Sequence, residues 1–542
     1  MADLPIAAQG SGEGMAPVVA RGESAAQAAR EARANEALQP PPPLVGAALW
    51  GGCILLSLAN FVVLLDTTIA NVSVPTIAGG LGVSANEGTW VITSYAVAEA
   101  ITVPLTGWLS QRFGSVRVFV TAMGLFGVCS ALCGFAPSLG VLVVCRVLQG
   151  LAGGPMIPLS QTLLLRIFSK EQAGQALGLW AMTTVVAPIA GPILGGLICD
   201  NAHWSWIFFI NVPVALVTAA LAWRLLRAQE DARVKRPLDL VGLGLMVVWI
   251  AALQILLDKG EDEDWFNSAF IVQLALVAGV GFVAFLIWEL TDANPIINLR
   301  VFRSRSYTIC LGVLCLCYGA YFSATVIQPL WLQTNLGYTA TWAGYAVAPL
   351  GVLAIVMSPI VGRLMRSADP RLLVFIGVMG IAALMFWRSH FNSDINYAQI
   401  VLPQALQGAC MPLFFVPVFS LGLSSIRPQE MAGAAGILSF ARTMAGAFAT
   451  SLATTAWANG GRASRVQLLN QTDTGGAVRS LMHAGLSQGQ ALRQFEAMVS
   501  GQAVMLATDK LFLTISVLLA IAACSIWLVA KPAGRVASSN SH

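Results

Sequence analysis

The chain has 542 residues, of which 57% are hydrophobic and only 10% are charged, and its mean hydropathy is +0.74. Because about a quarter of the residues of soluble domains are charged, this composition excludes a soluble protein and indicates an integral membrane protein. The net charge is only +4, and no basic cluster with interleaved aromatic residues accompanies it, which argues against nucleic-acid binding.

The first 45 residues precede the first apolar segment. They are rich in Ala, Gly and Glu, end in four consecutive prolines, and lack the charged, apolar and small regions of a cleavable signal peptide. We predict that residues 1–45 are a disordered cytoplasmic tail and that 533–542 are a second, short cytoplasmic tail.

Apolar segments follow, each long enough to cross a hydrocarbon core of about 30 Å as a helix. We predict an all-α integral membrane fold with about fourteen transmembrane helices. Their predicted extents are 48–72, 89–110, 117–136, 139–163, 174–198, 205–225, 239–257, 269–290, 307–331, 342–364, 371–388, 398–424, 433–457 and 510–530.

The distribution of Lys and Arg predicts the orientation of these helices. An even number of crossings leaves both termini on the same side of the membrane, and short cytoplasmic loops are enriched in basic residues. With the N-terminus inside, most of the 30 Lys and Arg fall in inside loops and tails. Both termini are therefore predicted to be cytoplasmic.

The second half of the chain repeats several short motifs of the first half. A pattern of Thr-Trp, Tyr-Ala-Val-Ala and Pro-x-x-Gly-x-Leu begins at Thr89 and returns from Thr341, and Leu-Gln-Gly at 148–150 returns at 406–408. Duplicated sets of membrane helices are typical of secondary transporters. We predict a six-helix bundle at 46–227, two inserted helices at 228–300, and a second six-helix bundle at 301–532 with a long periplasmic loop at 459–509.

Ionisable residues inside a membrane are costly, and each is therefore a functional candidate. Asp66 in helix 1 and Arg146 in helix 4 lie at comparable depth and can form an ion pair. Protonating the carboxylate of such a pair would bias one of two conformations. The alternatives are a static pair, or charges at a rim that face water.

Two further charges lie in predicted helices. Glu99 is near the middle of helix 2, where loss of water favours the protonated carboxyl, so it is a candidate proton carrier or the acidic partner of a cationic substrate. The alternative is a protonated, hydrogen-bonded core residue. Arg442 lies in helix 13, where we expect a helix-anchoring ion pair ahead of a direct role in coupling.

Uncharged polar and small residues add weaker candidates. Glutamines at helical positions line a cavity or bond helix to helix; they are Gln149, Gln161, Gln328, Gln404 and Gln407. Helix 5 combines small residues, which permit close helix approach, with prolines, which bend a helix; the segment includes Ala187, Pro188, Gly191, Pro192, Gly195 and Gly196.

These motifs resemble those of the major facilitator superfamily. The helix 5 segment resembles the antiporter motif of drug exporters, with Ala187 where Gly is usual. Leu65-Asp66-x-Thr68 resembles the helix 1 motif of the fourteen-helix drug:proton antiporters, and Arg146-Val-Leu-Gln-Gly resembles their helix 4 motif, whose Arg is implicated in proton coupling. The loop after helix 2 resembles the gating motif at Gly107, Arg112, Gly114 and Arg117, although Gln111 stands where many members have Asp.

The resemblance to EmrB-type multidrug exporters covers nearly all of the chain after the tail. It includes Trp204-Ser-Trp-Ile-Phe-Phe-Ile-Asn-Val-Pro, the segment from Gly337 to Gly344, and Arg442-Thr-Met-Ala-Gly. Glu99 departs from the Asn of that type. The resemblance implies a Gram-negative inner-membrane pump that works with a periplasmic adaptor protein and an outer-membrane channel of the TolC kind.

We therefore expect a proton-driven multidrug efflux antiporter for lipophilic or amphipathic compounds, with Asp66, Glu99 and Arg146 as the proton-coupling residues. The alternatives are a proton-coupled transporter of a specific metabolite or siderophore, or a membrane-embedded enzyme or sensor. The ten Cys and four His have no metal-site spacing, and no phosphate-binding Gly-rich loop is present, so we expect no cofactor, with protons as the coupling ion.

Overall fold

The computed structural model describes residues 44–169, 172–230, 233, 237–292, 295–338, 340–365, 367–392, 395–427 and 430–529. The predicted tail at 533–542, and all but the last two residues of the tail predicted at 1–45, lie outside these described residues. Leu44 and Val45 lead directly into the first long helix.

Long helices dominate the described residues, and each corresponds to one of the predicted spans. We number them in chain order: α1 Gly46–Leu81, α2 Trp90–Phe113, α3 Ser115–Gly134, α4 Leu139–Ile167, α5 Ala173–Asn201, α6 Trp206–Gln229, α7 Leu240–Lys259, α8 Ala269–Thr291, α9 Arg305–Thr334, α10 Ala340–Leu364, α11 Pro370–Arg388, α12 Tyr397–Ser424, α13 Met431–Gln471 and α14 Gln488–Ser525.

Eleven of the helices in the described residues are long and apolar enough to cross a membrane, and α5 makes twelve if its bent halves count as one span. The helices α2 and α13 are not among them, because they carry Glu99, Arg442 and many small or hydroxyl residues that lower their hydropathy. Hydropathy tests miss such helices when neighbouring helices shield them from lipid. The membrane placement of α2 and α13 stays a prediction.

The segment 459–509, predicted as a long periplasmic loop whose second half is compatible with a helix, is largely helical. The helix α13 continues to Gln471, a short helix spans Thr474–His483, and α14 begins at Gln488 with a Ser487 capping box. The loop prediction followed the low hydropathy of the segment. An amphipathic helical hairpin has the same composition, because its outer faces contact water.

Two groups of helices pack around the core. In the first half, α1 packs against α5, α2 against α4, and α3 against α6; in the second half, α10 packs against α12, α9 against α13, and α11 against α14. The groups meet where α5 packs on α10 and α2 packs on α13. We call the α2–α13 contact the seam.

The inserted helices contact both halves beside the seam. Lys259 at the end of α7 donates to the hydroxyl of Thr89, 2.8 Å away, in the first half. In the second half, Ser451 of α13 donates to the carbonyl of Leu257 at 3.0 Å. The helix α7 thus bridges the seam on one side, and α8 packs against α7.

Candidate functional site

The centre of the first bundle holds a buried ion pair. Nη1 of Arg146 in α4 lies 2.6 Å from Oδ2 of Asp66 in α1, and both side chains are fully buried. The surrounding spans are apolar, so either charge would be costly to bury alone. Pairing the two charges offsets part of that cost. The predicted pairing of these two residues is confirmed.

Amides and a hydroxyl complete the coordination of the pair. Gln149, one turn after Arg146, accepts from Arg146 Nη1 at 2.8 Å and donates to Asp66 Oδ1 at 3.1 Å. Asn211 at the start of the main part of α6 donates to the same oxygen at 2.8 Å, and Ser130 of α3 accepts from both amides at 3.3 and 3.4 Å. Four helices of one bundle therefore contribute to this cluster, and α4 and α6 supply the donors to the carboxylate of α1.

The guanidinium of Arg146 is held from its other sides as well. Its Nε donates to the carbonyl of Val91 at 3.0 Å, and its plane lies 4.2 Å from the ring of Tyr95. Cation–π contacts strengthen when they are shielded from water. Protonation of Asp66 would leave Arg146 with only neutral partners, which changes the charge balance of the whole cluster.

Glu99 lies at the seam, where the two bundles face each other. A Cβ on Gly107 would lie 2.7 Å from the Cα of Gly433, and a Cβ on Gly436 would lie 3.0 Å from the carbonyl oxygen of Val103. Glu99 is one helical turn before Val103 on the same face of α2. Its side chain is 9% exposed.

Arg442 of α13, the helix across the seam from α2, is 1% exposed. It lies 5.1 Å from the ring of Tyr318, and its Nε and Nη1 are buried with no hydrogen-bond partner in the described part of the chain. No ion pair within 4 Å includes Arg442 among those residues. The expected helix-anchoring ion pair is therefore not present among the described residues.

The small residues of α5 pack against α1. A Cβ on Gly191 would overlap Thr68, one on Gly195 would lie 3.3 Å from the carbonyl oxygen of Ile69, and the Thr68 hydroxyl donates to the carbonyl of Ala187 at 3.3 Å. The segments Gln175–Pro188 and Ile193–Asn201 meet at 43°. The bent helix thus lies directly behind the helix that carries Asp66; the side chain of Pro192 is outside what the structure describes.

The family model of the Major Facilitator Superfamily matches residues 56–450. The chain belongs to this superfamily. It is therefore a multi-pass membrane transporter and not an enzyme, as the sequence motifs predict.

Individual relatives cover most of the transporter. It is 44% identical over 479 residues to the "Multidrug export protein EmrB" of Haemophilus influenzae, covering 87% of this chain and 94% of that protein. It is 41% identical over 496 residues to the "Fatty acid resistance protein FarB" of Neisseria gonorrhoeae, covering 91% and 98%. Close relation to EmrB-type exporters, predicted from the motifs, is confirmed.

Solved structures support the fold of the transporter. The superfamily proton:xylose symporter XylE superposes with a TM-score of 0.57 at 15% identity, covering 90% of this chain and 96% of that one. The predicted major facilitator fold is confirmed.

The loop between α2 and α3 holds a carboxylate that comes from elsewhere in the transporter. Glu230, which follows α6, accepts from the backbone N–H of Val116 and of Arg117, both at 3.0 Å, and lies 3.8 Å from the Arg117 guanidinium. Gly114 has φ = 95°, and a Cβ there would overlap Glu230. The guanidinium of Arg112 lies 5.4 Å from the Trp108 ring.

The predicted glutamines separate into three environments. Gln149 belongs to the Asp66 cluster. Gln328, Gln404 and Gln407 converge on Arg388 in the second bundle. Gln161 is fully buried, and neither atom of its amide has a partner among the described residues.

The sequence analysis missed Asn211, Ser130 and Arg388. Asn211 and Ser130 are short polar residues, which caps and helix interiors commonly contain. Arg388 is the last residue of the span predicted at 371–388, where a basic side chain ordinarily extends toward the membrane surface. The signal that identifies Asn211 is its place inside the Trp204–Pro213 motif.

Proposed function

We propose that this transporter is a proton-driven antiporter that exports lipophilic or amphipathic compounds from the cytoplasm. The observation that carries the proposal is the buried Asp66–Arg146 pair with its amide shell. The names of the EmrB and FarB relatives refer to multidrug export and fatty acid resistance, and they support the substrate class.

In the proposed cycle, a proton from outside neutralises Asp66. Removing one partner of a buried ion pair costs about 3–5 kcal/mol, because the other charge is left uncompensated. A proton on Oδ2 would face the Nη1 donor of Arg146, whereas Oδ1 could go on accepting from Gln149 and Asn211. The cost favours a second, outward-facing arrangement of the helices, from which substrate leaves; Glu99 at the seam is the second proposed proton site.

The membrane potential can drive this cycle. One proton that crosses 100 mV supplies about 2.3 kcal/mol, which corresponds to roughly a fifty-fold concentration gradient of substrate. The helix α5, packed against α1 and α10, would transmit the change at Asp66 to the other bundle.

Orientation, domains and partners complete the proposal. We propose that both termini are cytoplasmic, that 46–227 and 301–532 are the two rocking bundles with 228–300 inserted between them, and that the transporter resides in a bacterial inner membrane. A periplasmic adaptor and a TolC-like channel are the proposed partners. The helical segment at 459–509, formed by the ends of α13 and α14 and the short helix between them, is the proposed contact with the adaptor. We call it the outer hairpin.

Proton movement in proteoliposomes of known orientation tests the antiport. Addition of a lipophilic drug under an imposed pH gradient should release protons with wild type and with Asp200→Asn, a control because Asp200 is exposed. Asp66→Asn should bind drug and fail to move protons. Full drug-dependent proton flux in Asp66→Asn would rule out this coupling site.

A further inference from the structure

A second buried arginine lies in the C-terminal bundle. Arg388 is the last residue of α11 and is 1% exposed. Its Nη1 donates to Gln328 Oε1 at 3.0 Å, and its Nη2 donates to Gln407 Oε1 at 2.7 Å and to Gln404 Oε1. All three acceptors are neutral, and no ion pair in the described part of the chain includes Arg388.

The orientation of the three amides follows from this arginine. A guanidinium has only donors, so each glutamine must turn its oxygen toward Arg388 and its NH₂ group away. Nε of Arg388 and Nε2 of Gln328 are buried and have no partner among the described residues. The cluster therefore combines a full positive charge with unused donors, and what it lacks is an acceptor that carries negative charge.

The N-terminal bundle has a comparable polar cluster, in which Asp66 pairs with the buried arginine. Its cluster uses α1, α3, α4 and α6. An offset of eight helices takes the first three to α9, α11 and α12, the helices of the Arg388 cluster. The Leu-Gln-Gly repeat aligns Gln149 with Gln407, and it aligns Arg146 with Gln404. On the first helix of each set, one cluster has Asp66 and the other has Gln328.

Local dipoles do not complete the charge balance. Arg388 lies at the C-terminal end of α11, where the helix carries roughly half a negative elementary charge. That partial charge favours a cation at this position but does not neutralise it, and it provides no acceptor for the donors of Gln328. A buried charge needs a paired partner as well as hydrogen bonds.

We propose that the Arg388–Gln328–Gln404–Gln407 cluster is a binding site for one monovalent anion, which takes the part that Asp66 plays in the other bundle. The same chemistry is offered by free chloride and by the carboxylate of an amphipathic acid. Ser389, the next residue in the chain after Arg388, is half-buried, and His390 is exposed.

Thermal unfolding of the purified full-length protein in detergent tests the site. Chloride replaces gluconate at constant ionic strength, and wild type should gain stability in a saturable way, because a ligand that binds only the folded state raises its melting temperature. Gln328→Glu supplies a carboxylate from within the chain and should unfold at the same temperature in both salts. Gln333→Glu, on an exposed position of the same helix, should respond to chloride as wild type does.

Two competition arms distinguish the sources of the anion. Decanoate below its micelle concentration should stabilise wild type and shift the chloride midpoint at least threefold if substrate carboxylates enter the site; decanol is the uncharged control. Stabilisation by chloride with no shift by decanoate assigns the site to the free ion.

Equal melting temperatures of wild type in chloride and gluconate would overturn the proposal, and so would an undiminished chloride response in Gln328→Glu. If Gln328→Glu does not fold, Gln404→Glu replaces it with the same expectation. Arg388→Gln gives a second reading: it removes the charge, so any folded protein must lose the chloride response, and a retained response also overturns the site.

Discussion

Gly107 of α2 and Gly433 of α13 bring the two bundles into backbone contact, since a Cβ on Gly107 would lie 2.7 Å from the Cα of Gly433. The neighbour is backbone and cannot move aside as a side chain does. Any rocking of one bundle against the other must open or close this contact.

Gly107→Ala should therefore hold the seam apart and slow transport. Overpacking costs about 1–3 kcal/mol, which shifts a two-state equilibrium roughly five- to a hundredfold. The measurement is the initial rate of drug export in proteoliposomes. Gly124→Ala is the control, because a Cβ there meets no atom within 4 Å; equal rates for the two variants would show that the seam does not close during transport.

Glu99→Gln should lower the number of protons moved per drug molecule. The change keeps the shape of the side chain but removes the proposed second proton site at the seam. Proton release and drug export are measured together, with one neutral and one cationic drug, and Glu87→Gln serves as the control at an exposed outer position. An unchanged ratio, with loss confined to the cationic drug, would make Glu99 a substrate contact instead.

Glu230→Ala should destabilise the N-terminal end of α3. Glu230 accepts from two backbone N–H groups at the helix N-terminus, where a carboxylate also interacts favourably with the helix dipole. Loss of such a cap costs about 1–2 kcal/mol. The midpoint of thermal unfolding in detergent should fall, whereas Glu496→Ala, which removes an exposed ion pair with Arg465, should move it less. Equal unfolding midpoints for wild type and Glu230→Ala would contradict a capping role for Glu230.

The outer hairpin should matter for resistance in cells and not for transport itself. Its two helices are joined by Arg465–Glu496 at 2.6 Å and by a bond of 2.8 Å from Trp457 to the Thr508 hydroxyl. Replacing residues 474–483 with a Gly/Ser linker leaves both contacts in place. We expect normal drug-dependent proton flux in proteoliposomes and at least a tenfold loss of drug resistance in cells; full resistance would place the adaptor contact elsewhere.

The sequence alone identifies a residue as a functional candidate when its charge is incompatible with the apolar span around it. Asp66 and Arg146 stand out because a charge inside an apolar span needs a partner, and their comparable depth made them candidates for an ion pair. Asn211 gave no comparable signal, since an uncharged amide near a helix start has many uses. Arg388 was missed because a basic residue at the end of a span ordinarily extends toward the membrane surface.

Hydropathy, spacing and the internal repeat were sufficient to predict the helices, the duplication and the superfamily, because each follows from how a segment meets lipid or from short motifs that lie close together in the chain. Tertiary structure alone decided which side chains meet. Asp66 and Asn211 are 145 residues apart in sequence, and Arg388 and Gln328 are 60 apart. Such contacts depend on how helices rotate and pack against one another, and the hydropathy of a single segment carries no information about that rotation.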